Sequence, residues 1–133
     1  MKFYVASSFS NKEKVQYVSR KLIDNGFIHS YDWTQNNRAA TLAELKDIGT
    51  KEKEAVFASD VVIVLLPGGK GTHIELGLAL AADKQIFLYS VDDAINDLSL
   101  TSTFYHLPEI EKVRGTLDDL ILLVASKFSL AST

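Results

Sequence analysis

The 133-residue sequence contains no cysteine, only two prolines and three histidines, and no long hydrophobic run. Without cysteine, disulfide bridges, thiolate metal sites and thiol catalysis are excluded. Three scattered histidines do not favour a zinc site, and we expect neither a metal nor a cofactor. The longest aliphatic run, residues 61–66, is far shorter than the ~20 residues of a membrane helix. No hydrophobic signal core is visible near the start, so the expected location is the cytoplasm.

An excess of basic residues is also missing, because 14 Lys and Arg stand against 17 Asp and Glu, for a net charge of −3. Nucleic acid binding needs a basic face, so we expect no nucleic acid partner, and no membrane partner either. The 47% hydrophobic and 23% charged residues are typical of a soluble globular protein. The length predicts one domain spanning residues 1–133. These properties favour a protein that binds a small molecule.

Strand and helix patterns alternate along the chain. Strands are predicted at residues 2–6, 27–33, 61–66, 85–90 and 111–114. Helices are predicted at residues 10–25, 41–58, 72–83 and 116–128, and residues 91–108 are expected to be irregular or partly helical. Three of these helices follow capping-box patterns, which are Ser10-x-x-Glu13, Thr41-x-x-Glu44 and Thr116-x-x-Asp119.

This alternation predicts a single-domain, Rossmann-like α/β fold: a parallel sheet of about five strands with helices on both faces. The continuous aliphatic segment 61–66 is typical of a central strand buried on both sides. Such sheets bind ligands beyond the carboxyl ends of their strands, at the topological switch point. In the flavodoxin-like order 2-1-3-4-5 that point lies between the first and third strands. The segments leaving those strands are residues 7–10 and 67–72.

A glycine-rich turn joins the third strand to the next helix, with Gly68, Gly69 and Gly71 around Lys70. Glycine allows backbone N–H groups to approach an anion closely, and a helix N-terminus favours negative charge. Lys70 would add a cation. The spacing matches neither the P-loop nor the GxGxxG pattern. A tight strand-to-helix turn explains it equally well, so an anion site is one of two open interpretations.

Glu75 is the first candidate catalytic carboxylate. It follows Thr72 by three residues, which is also the spacing of a capping box. In the other interpretation, Glu75 lies at the mouth of the switch-point cleft against small apolar groups. Partial desolvation there suits a nucleophile or an acid.

Glu52 is the second candidate, because it interrupts an apolar helix face. At 100° per residue it falls in the middle of that face. The face comprises Leu45, Ile48, Ala55 and Val56. An unpaired carboxylate on a core face is costly, so we interpret Glu52 as functional. The alternative is a helix end that emerges from the core.

Five more side chains are candidates for lining a ligand site at the same edge of the sheet. Tyr4 is either a core aromatic or a site residue three positions before Ser7. Ser7 and Ser8 either bind phosphate or sugar oxygens or simply turn the chain. His73 either faces a ligand at the helix start or is an exposed residue near the cap. Trp33 either lines a base pocket or has a structural role.

Together these features resemble the nucleoside 2-deoxyribosyltransferase superfamily, which includes the deoxynucleoside 5′-monophosphate N-glycosidases. The resemblance covers residues 1 to about 99. It is carried, in order, by the segments FYVASS, KEKEAV, SDVVIV and GTHIELG.

The resemblance implies an enzyme that cleaves the N-glycosidic bond of a (deoxy)nucleoside or its 5′-monophosphate. The sugar would pass to water or to another base. Glu75 would be the nucleophile, Tyr4 its orienting partner, and Glu52 the second carboxylate, where the family usually has Asp. Ser99 matches a position that some members offer to a neighbouring subunit's phosphate. The resemblance therefore also implies a homodimer or a higher homo-oligomer.

Two departures and two alternatives accompany this hypothesis. The glycine turn lacks both the Asp common in the transferases and the Ser of the monophosphate glycosidases, and Lys70 is the available substitute. The turn also resembles the PGGxGTxxE signature of the cytokinin-activating phosphoribohydrolases, which cleave the same type of bond. The alternative functions are a glycohydrolase of NAD-type nucleotides, as in TIR-like domains, and a non-catalytic nucleotide-binding module.

Overall fold

The computed structural model describes residues 1–128. Five parallel strands form one sheet in the order β2-β1-β3-β4-β5. The strands are β1 (Lys2–Ser7), β2 (Ile28–His29), β3 (Val61–Leu65), β4 (Gln85–Ser90) and β5 (Ile110–Arg114). The helices are α1 (Lys12–Asp24), α2 (Leu42–Ala58), α3 (Lys70–Ala81) and α4 (Leu117–Lys127). The predicted α/β fold and its strand order are thereby confirmed.

The core lies on both faces of the three central strands. All five residues of β3 are buried, as the aliphatic run predicted for a strand covered on both sides. Helix α1 packs against α4, and α2 packs against α3, so two helical layers enclose the sheet. Within residues 1–128, none of the helices combines the length and the apolar character needed to cross a bilayer.

The predicted second strand is much shorter in the structure. Only Ile28–His29 pair with β1, whereas residues 27–33 were expected to do so. The Asp32 carboxylate accepts a hydrogen bond from the Thr34 backbone N–H at 3.0 Å, which turns the chain into a 3₁₀ turn at Trp33–Gln35. The prediction was wrong here because aspartate at a turn overrides the strand tendency of its neighbours.

The helix starts agree only in part with the capping patterns. Thr116 and Asp119 form the predicted reciprocal box, with bonds of 3.1 and 3.0 Å. The box at Ser10 is wrong, because a 3₁₀ turn at Phe9–Asn11 precedes α1 and the Ser10 Oγ lies 2.6 Å from that of Ser8. Capping patterns predict a helix nearby more reliably than its first residue.

The Thr41 pattern forms half of its predicted box. The Thr41 side chain accepts from the Glu44 N–H at 3.1 Å, but the Glu44 carboxylate accepts from Ala40 instead of Thr41.

The remaining boundaries shift by a few residues. Strand β3 ends at Leu65, one residue before the predicted end, and Pro67 follows without an N–H to extend the ladder. Between β4 and β5 the chain is irregular apart from 3₁₀ turns at Ala94–Asn96 and Thr103–His106, as expected.

Candidate active site

Hydrogen bonds tie the ends of β1 and β3 together at the switch point. The Ser7 hydroxyl donates to the Leu65 carbonyl at 2.8 Å, and the Asn11 side-chain amide donates to Ser7 Oγ at 2.9 Å and to the Pro67 carbonyl at 3.1 Å. Because its only proton is used in this tie, Ser7 offers a ligand a lone pair and no donor. The tie fixes the glycine turn relative to β1.

A pocket of about 270 Å³ opens beside this tie. Its lining comprises Ser7, Ser8, Phe9, Trp33, Glu52, Gly69, Gly71, Thr72 and Glu75. Most of these residues were predicted from the sequence as site residues, although they come from four separate segments. The fold therefore brings the candidates from β1, α2 and the start of α3 to one place. We call this space the acid pocket.

Tyr4 joins the two candidate carboxylates in the acid pocket. Its hydroxyl lies 2.6 Å from Glu75 Oε2 and 3.3 Å from Glu52 Oε2. The Tyr4 side chain is fully buried, and Glu75 is only 7% exposed. A carboxylate in such surroundings has lost most of its hydration, so its partners determine its protonation state.

Glu75 does not act as a helix cap, which was the alternative interpretation. Helix α3 begins at Lys70, two residues earlier than predicted, with Gly69 as its N-cap residue. The Gly69 N–H donates to Thr72 Oγ1 at 3.1 Å, so Thr72 serves the cap. Glu75 lies in the second turn of α3, and its carboxylate is directed at Tyr4.

Burial shifts the pKa values of all three groups in the cluster of Tyr4, Glu52 and Glu75. Burial raises the pKa of Glu75 to about 8, with a further increase from the Glu52 charge and an opposing effect of the Tyr4 hydrogen bond. Burial also raises the pKa of Glu52, against hydrogen bonds from Glu75 and Tyr4 that lower it. Burial, followed by the two carboxylate charges, raises the pKa of the Tyr4 phenol. The two carboxyl groups are close enough for their titrations to belong to the pair, and the pair holds a proton to a higher pH than an exposed glutamate does.

The apolar face of α2 is divided between two environments. Ala55 and Val56 are buried in the core, whereas Leu45 is 56% exposed and Ile48 is half-buried. The two outer residues line a second pocket of about 500 Å³, which shares Phe9, Trp33 and Glu52 with the acid pocket. Glu52 thus lies where the helix leaves the core, as one interpretation held, and it also bonds to Tyr4, as the other required.

The three glycines of the turn have different environments. A Cβ at Gly68 would lie 2.4 Å from Thr72 Cγ2, so Gly68 is needed for close packing in the turn. At Gly69 and Gly71 a Cβ would meet nothing within 4 Å. The Gly69 N–H is already used by Thr72, which leaves the N–H groups of the first turn of α3 for an anion.

Three predicted binding residues lie outside the acid pocket. The Lys70 side chain is exposed at the start of α3 and does not line the pocket. His73 faces away, with Nδ1 2.8 Å from the Gly69 carbonyl and Nε2 2.6 Å from the Tyr105 hydroxyl. Ser99 donates to the Asp97 carboxylate at 2.7 Å within its own turn. Their roles in binding remain predictions.

Sequence reasoning missed Phe9 and Asn11. Phe9 is 57% exposed, and its ring centre lies 6.1 Å from that of Trp33. Trp33 is held in place by a hydrogen bond of 2.7 Å from its indole N–H to the Val5 carbonyl. The available signal for both missed residues was their position directly after β1 at the switch point. Within residues 1–128, no three metal-ligating side chains come together as a candidate metal site.

A parallel sheet with desolvated carboxylates at its switch point is the architecture of an enzyme acting on small molecules. The chain belongs to the nucleoside 2-deoxyribosyltransferase family, whose model matches residues 3–106. The resemblance inferred from the sequence is thus confirmed. Membership supports nucleoside deoxyribosyl-transfer chemistry, with a nucleoside or nucleotide as the small molecule bound.

Two solved structures share the fold. The CMP N-glycosidase BcmB of Clostridium botulinum is 14% identical, with a TM-score of 0.63 over 93% of this chain and 98% of that one. A conserved protein from Enterococcus faecalis V583 is 18% identical, with a TM-score of 0.61 over 96% and 98%. No curated protein sequence matches the chain. At these identities the likeness establishes the fold alone.

Proposed function

We propose that the protein cleaves the N-glycosidic bond of a (deoxy)nucleoside or its 5′-monophosphate, with Glu75 as the nucleophile. The observation that carries this proposal is the buried Glu75 carboxylate, 2.6 Å from the Tyr4 hydroxyl, with Glu52 on the same hydroxyl. Two carboxylates whose environments force them to share a proton are suited to divide the roles of nucleophile and acid.

In the first step, Glu75 attacks C1′ of the sugar. The bond from C1′ to the base nitrogen breaks, its electron pair leaves with the base, and Glu52 gives the base its proton. Positive charge develops on the sugar in the transition state, and the Glu75 carboxylate stabilises it before bonding to C1′. In the free protein the raised pKa of Glu75 favours the shared proton on that carboxyl group. The balance of this step therefore requires the proton to move to Glu52 when substrate binds, which leaves the negative charge on Glu75.

Tyr4 supports this distribution of the proton. Its hydroxyl has one hydrogen, so it donates to one carboxylate and accepts from a protonated partner on the other side. The 2.6 Å contact to Glu75 is in the range of a hydroxyl donating to an anion, whereas the 3.3 Å contact to Glu52 is longer. Positive charge on the sugar strengthens the preference further, because it lowers the pKa of the carboxylate beside it.

The second step returns the enzyme to its starting state. Water attacks C1′, the bond from C1′ to Glu75 breaks, and the proton of the water goes to Glu52. A second base in place of water would give transfer instead of hydrolysis. The two carboxylate oxygens contact one hydroxyl oxygen at 2.6 and 3.3 Å, so they are closer than the ~6.5–9.5 Å of inverting glycosidases. This spacing supports a double displacement through a covalent intermediate.

A 5′-phosphate would bind at the other end of the acid pocket. The N–H groups of Lys70 and Gly71 in the first turn of α3, together with the Ser8 hydroxyl, provide donors there, and the Lys70 side chain provides a charge nearby. If so, Lys70→Ala raises KM for a nucleoside 5′-monophosphate and leaves KM for the nucleoside unchanged. Equal effects on both substrates would argue against phosphate recognition by Lys70.

The proposal is tested by a screen followed by trapping. Nucleosides, their 5′-monophosphates and NAD are incubated with the protein, and base release is followed by chromatography. With the best substrate, a 2-fluoro-sugar analogue should leave a covalent adduct on Glu75, located by peptide mass analysis. Glu54→Gln, an exposed change on α2, should still form the adduct, and Glu75→Gln should not. An adduct on another residue would contradict the assignment, and binding without any turnover would favour a non-catalytic module.

The active protein is proposed to be a homodimer or a larger homo-oligomer with a shared site. The segment that contains Ser99 carries exposed apolar side chains, including Leu98 at 94% and Phe104 at 58% exposure. Light scattering should give at least twice the chain mass of 14.7 kDa. Ser99→Ala should then raise KM without changing the mass. A fully active monomer would refute both claims, and an unchanged KM in a dimer would refute the shared site.

A further inference from the structure

The first half of α2 presents its apolar side chains to a pocket and not to the core. Leu45 is 56% exposed, and Ile48 is half-buried, although both lie on the same helix face as the buried Ala55 and Val56. We call the space in front of them the α2 pocket; its volume is about 500 Å³. Residues 36–39 of the loop before α2 close its other side.

The α2 pocket is continuous with the acid pocket. Phe9, Trp33 and Glu52 line both spaces, so a ligand that filled both would pass these three side chains. In the proposed reaction the sugar lies over Glu75 and the departing base takes its proton from Glu52. The base is therefore on the Glu52 side of the sugar, which is the entrance to the α2 pocket.

The positions along α2 indicate the size of that base. Ile48 lies four residues before Glu52, and Leu45 lies seven residues before it. Along the helix axis they are therefore about 6 Å and about 10 Å from Glu52. A single six-membered ring that is protonated by Glu52 ends near Ile48. Two fused rings extend beyond it, toward Leu45. The side chains of Phe9 and Trp33, with ring centres 6.1 Å apart, line the same path.

The loop at the far side offers donors to such a base. Asn36 has one of its two amide hydrogens in use, because it donates to the Tyr31 hydroxyl at 2.8 Å. Arg38 has donors only and lines the α2 pocket. A purine presents the acceptor N7, which a pyrimidine lacks and to which arginine donates in base recognition.

We propose that the α2 pocket binds a purine as the leaving base, with Leu45 and Ile48 as the residues that favour purines over pyrimidines. This inference rests on the proposed function for the position of the sugar. It goes beyond that function in naming the base and the side chains that select it. Apolar contact with the second ring provides the selection, because a single ring leaves Leu45 uncovered.

Binding of free bases tests the proposal without depending on turnover. Trp33 is the only tryptophan in the chain and lines both pockets, so its fluorescence, excited at the red edge, reports occupancy. Hypoxanthine and adenine should bind more tightly than uracil and cytosine. Leu45→Ala should weaken purine binding by about five- to tenfold and leave pyrimidine binding unchanged. Leu42→Ala is the matched control, since Leu42 is 84% exposed on the same helix and does not line the pocket.

Each outcome separates this inference from the proposed function. Purine binding that depends on Leu45, without turnover of any nucleoside, would support the α2 pocket and reject the hydrolase. Turnover of purine and pyrimidine nucleosides alike, with Leu45→Ala unchanged, would reject the purine assignment and keep the hydrolase. A Leu45→Ala variant that loses mass in light scattering but keeps its base affinity would identify the face as a subunit interface and overturn the inference.

Discussion

Two hydrogen-bonded tyrosines flank the start of α3, and they contrast in what they bind. Glu75 and His73 are two residues apart, hence about 200° apart around the helix, and each lies 2.6 Å from a tyrosine hydroxyl. Tyr4 joins two carboxyl groups that share a proton between them, whereas the Tyr105 hydroxyl meets one imidazole, whose other nitrogen lies 2.8 Å from the Gly69 carbonyl. The first cluster keeps uncompensated charge in a buried place. The second is satisfied within itself.

We interpret this difference as the one between a reactive site and a structural tie. A satisfied cluster stabilises the fold, and nothing further is needed to account for it. A cluster that keeps carboxylates away from water has a desolvation cost in stability. Such a cost is typical of functional sites, where the shifted pKa values are used. We therefore expect changes in the Tyr4 cluster to affect activity strongly and changes in the His73–Tyr105 cluster to affect mainly stability.

The largest expected effect is that of Glu75→Gln. It removes the proposed nucleophile, and kcat should fall by about 10³-fold or more. His73→Gln, two residues away on the opposite helix face, should change kcat by less than about threefold. Steady-state base release measured for both variants makes the comparison. Comparable losses in the two variants would mean that the clusters do not differ as described.

Glu52→Gln should have the second largest effect. Loss of the proposed proton donor should lower kcat by about 10²-fold, with a smaller loss for substrates whose base leaves readily without protonation. It should also lower the pKa of Glu75, because the Glu52 charge is one cause of its rise. The acid limb of the pH–rate profile would then shift to lower pH. An unshifted limb would indicate that the two carboxylates do not interact.

Tyr4→Phe and Tyr105→Phe form a matched pair that compares the clusters directly. Tyr4→Phe should lower kcat by about 10-fold to 100-fold, because Glu75 loses the donor that orients it. Tyr105→Phe should leave kcat within about threefold and cost about 1 kcal/mol of unfolding free energy. Denaturant unfolding and steady-state kinetics measure both. If Tyr105→Phe were the more damaging to kcat, the assignment of roles would be reversed.

The last expected effect concerns stability and appears only at high pH. The pKa of Glu75 is about 8 in the folded protein and higher than in the unfolded chain, so the folded state binds more protons between these values. Its contribution to stability is complete below the unfolded pKa and is lost as the pH rises through about 8. Glu75→Gln should therefore be more stable than the parent protein above pH 8, by about 1–3 kcal/mol. Parallel stability–pH curves would count against a buried, proton-retaining Glu75.

Much of the fold is visible in the sequence because its signals are local. The aliphatic run of β3 and the Thr116-x-x-Asp119 box each specify an element from a few adjacent residues. The carboxylates were identified by their misplaced polarity and by resemblance to a family. Glu52 and Glu75 are 48 and 71 residues from Tyr4 in the sequence. The strand order, and not any local pattern, brings them to its hydroxyl.

Other features of the site are not written in local patterns. The apolar positions of α2 predict a buried face. Because a ligand pocket and a core both favour apolar side chains, the sequence does not distinguish Leu45 and Ile48, which line a pocket, from Val56, which is in the core. Phe9 looks like any exposed aromatic until its neighbour Trp33 is placed beside it. These are long-range consequences of how the loops pack.

The early end of β2 determines how wide the cleft is. Its two residues pair with Lys2 and Phe3, and beyond them the Trp33 indole, in place of a strand, hydrogen-bonds to the Val5 carbonyl. A strand of ordinary length would run along β1 to its end and fill the space that residues 36–39 now border. The connection between β2 and α2 thus forms one side of the cleft, and its length sets the cleft's width. Insertions or deletions there would resize the cleft for ligands of other sizes while the sheet and its carboxylates stay in place.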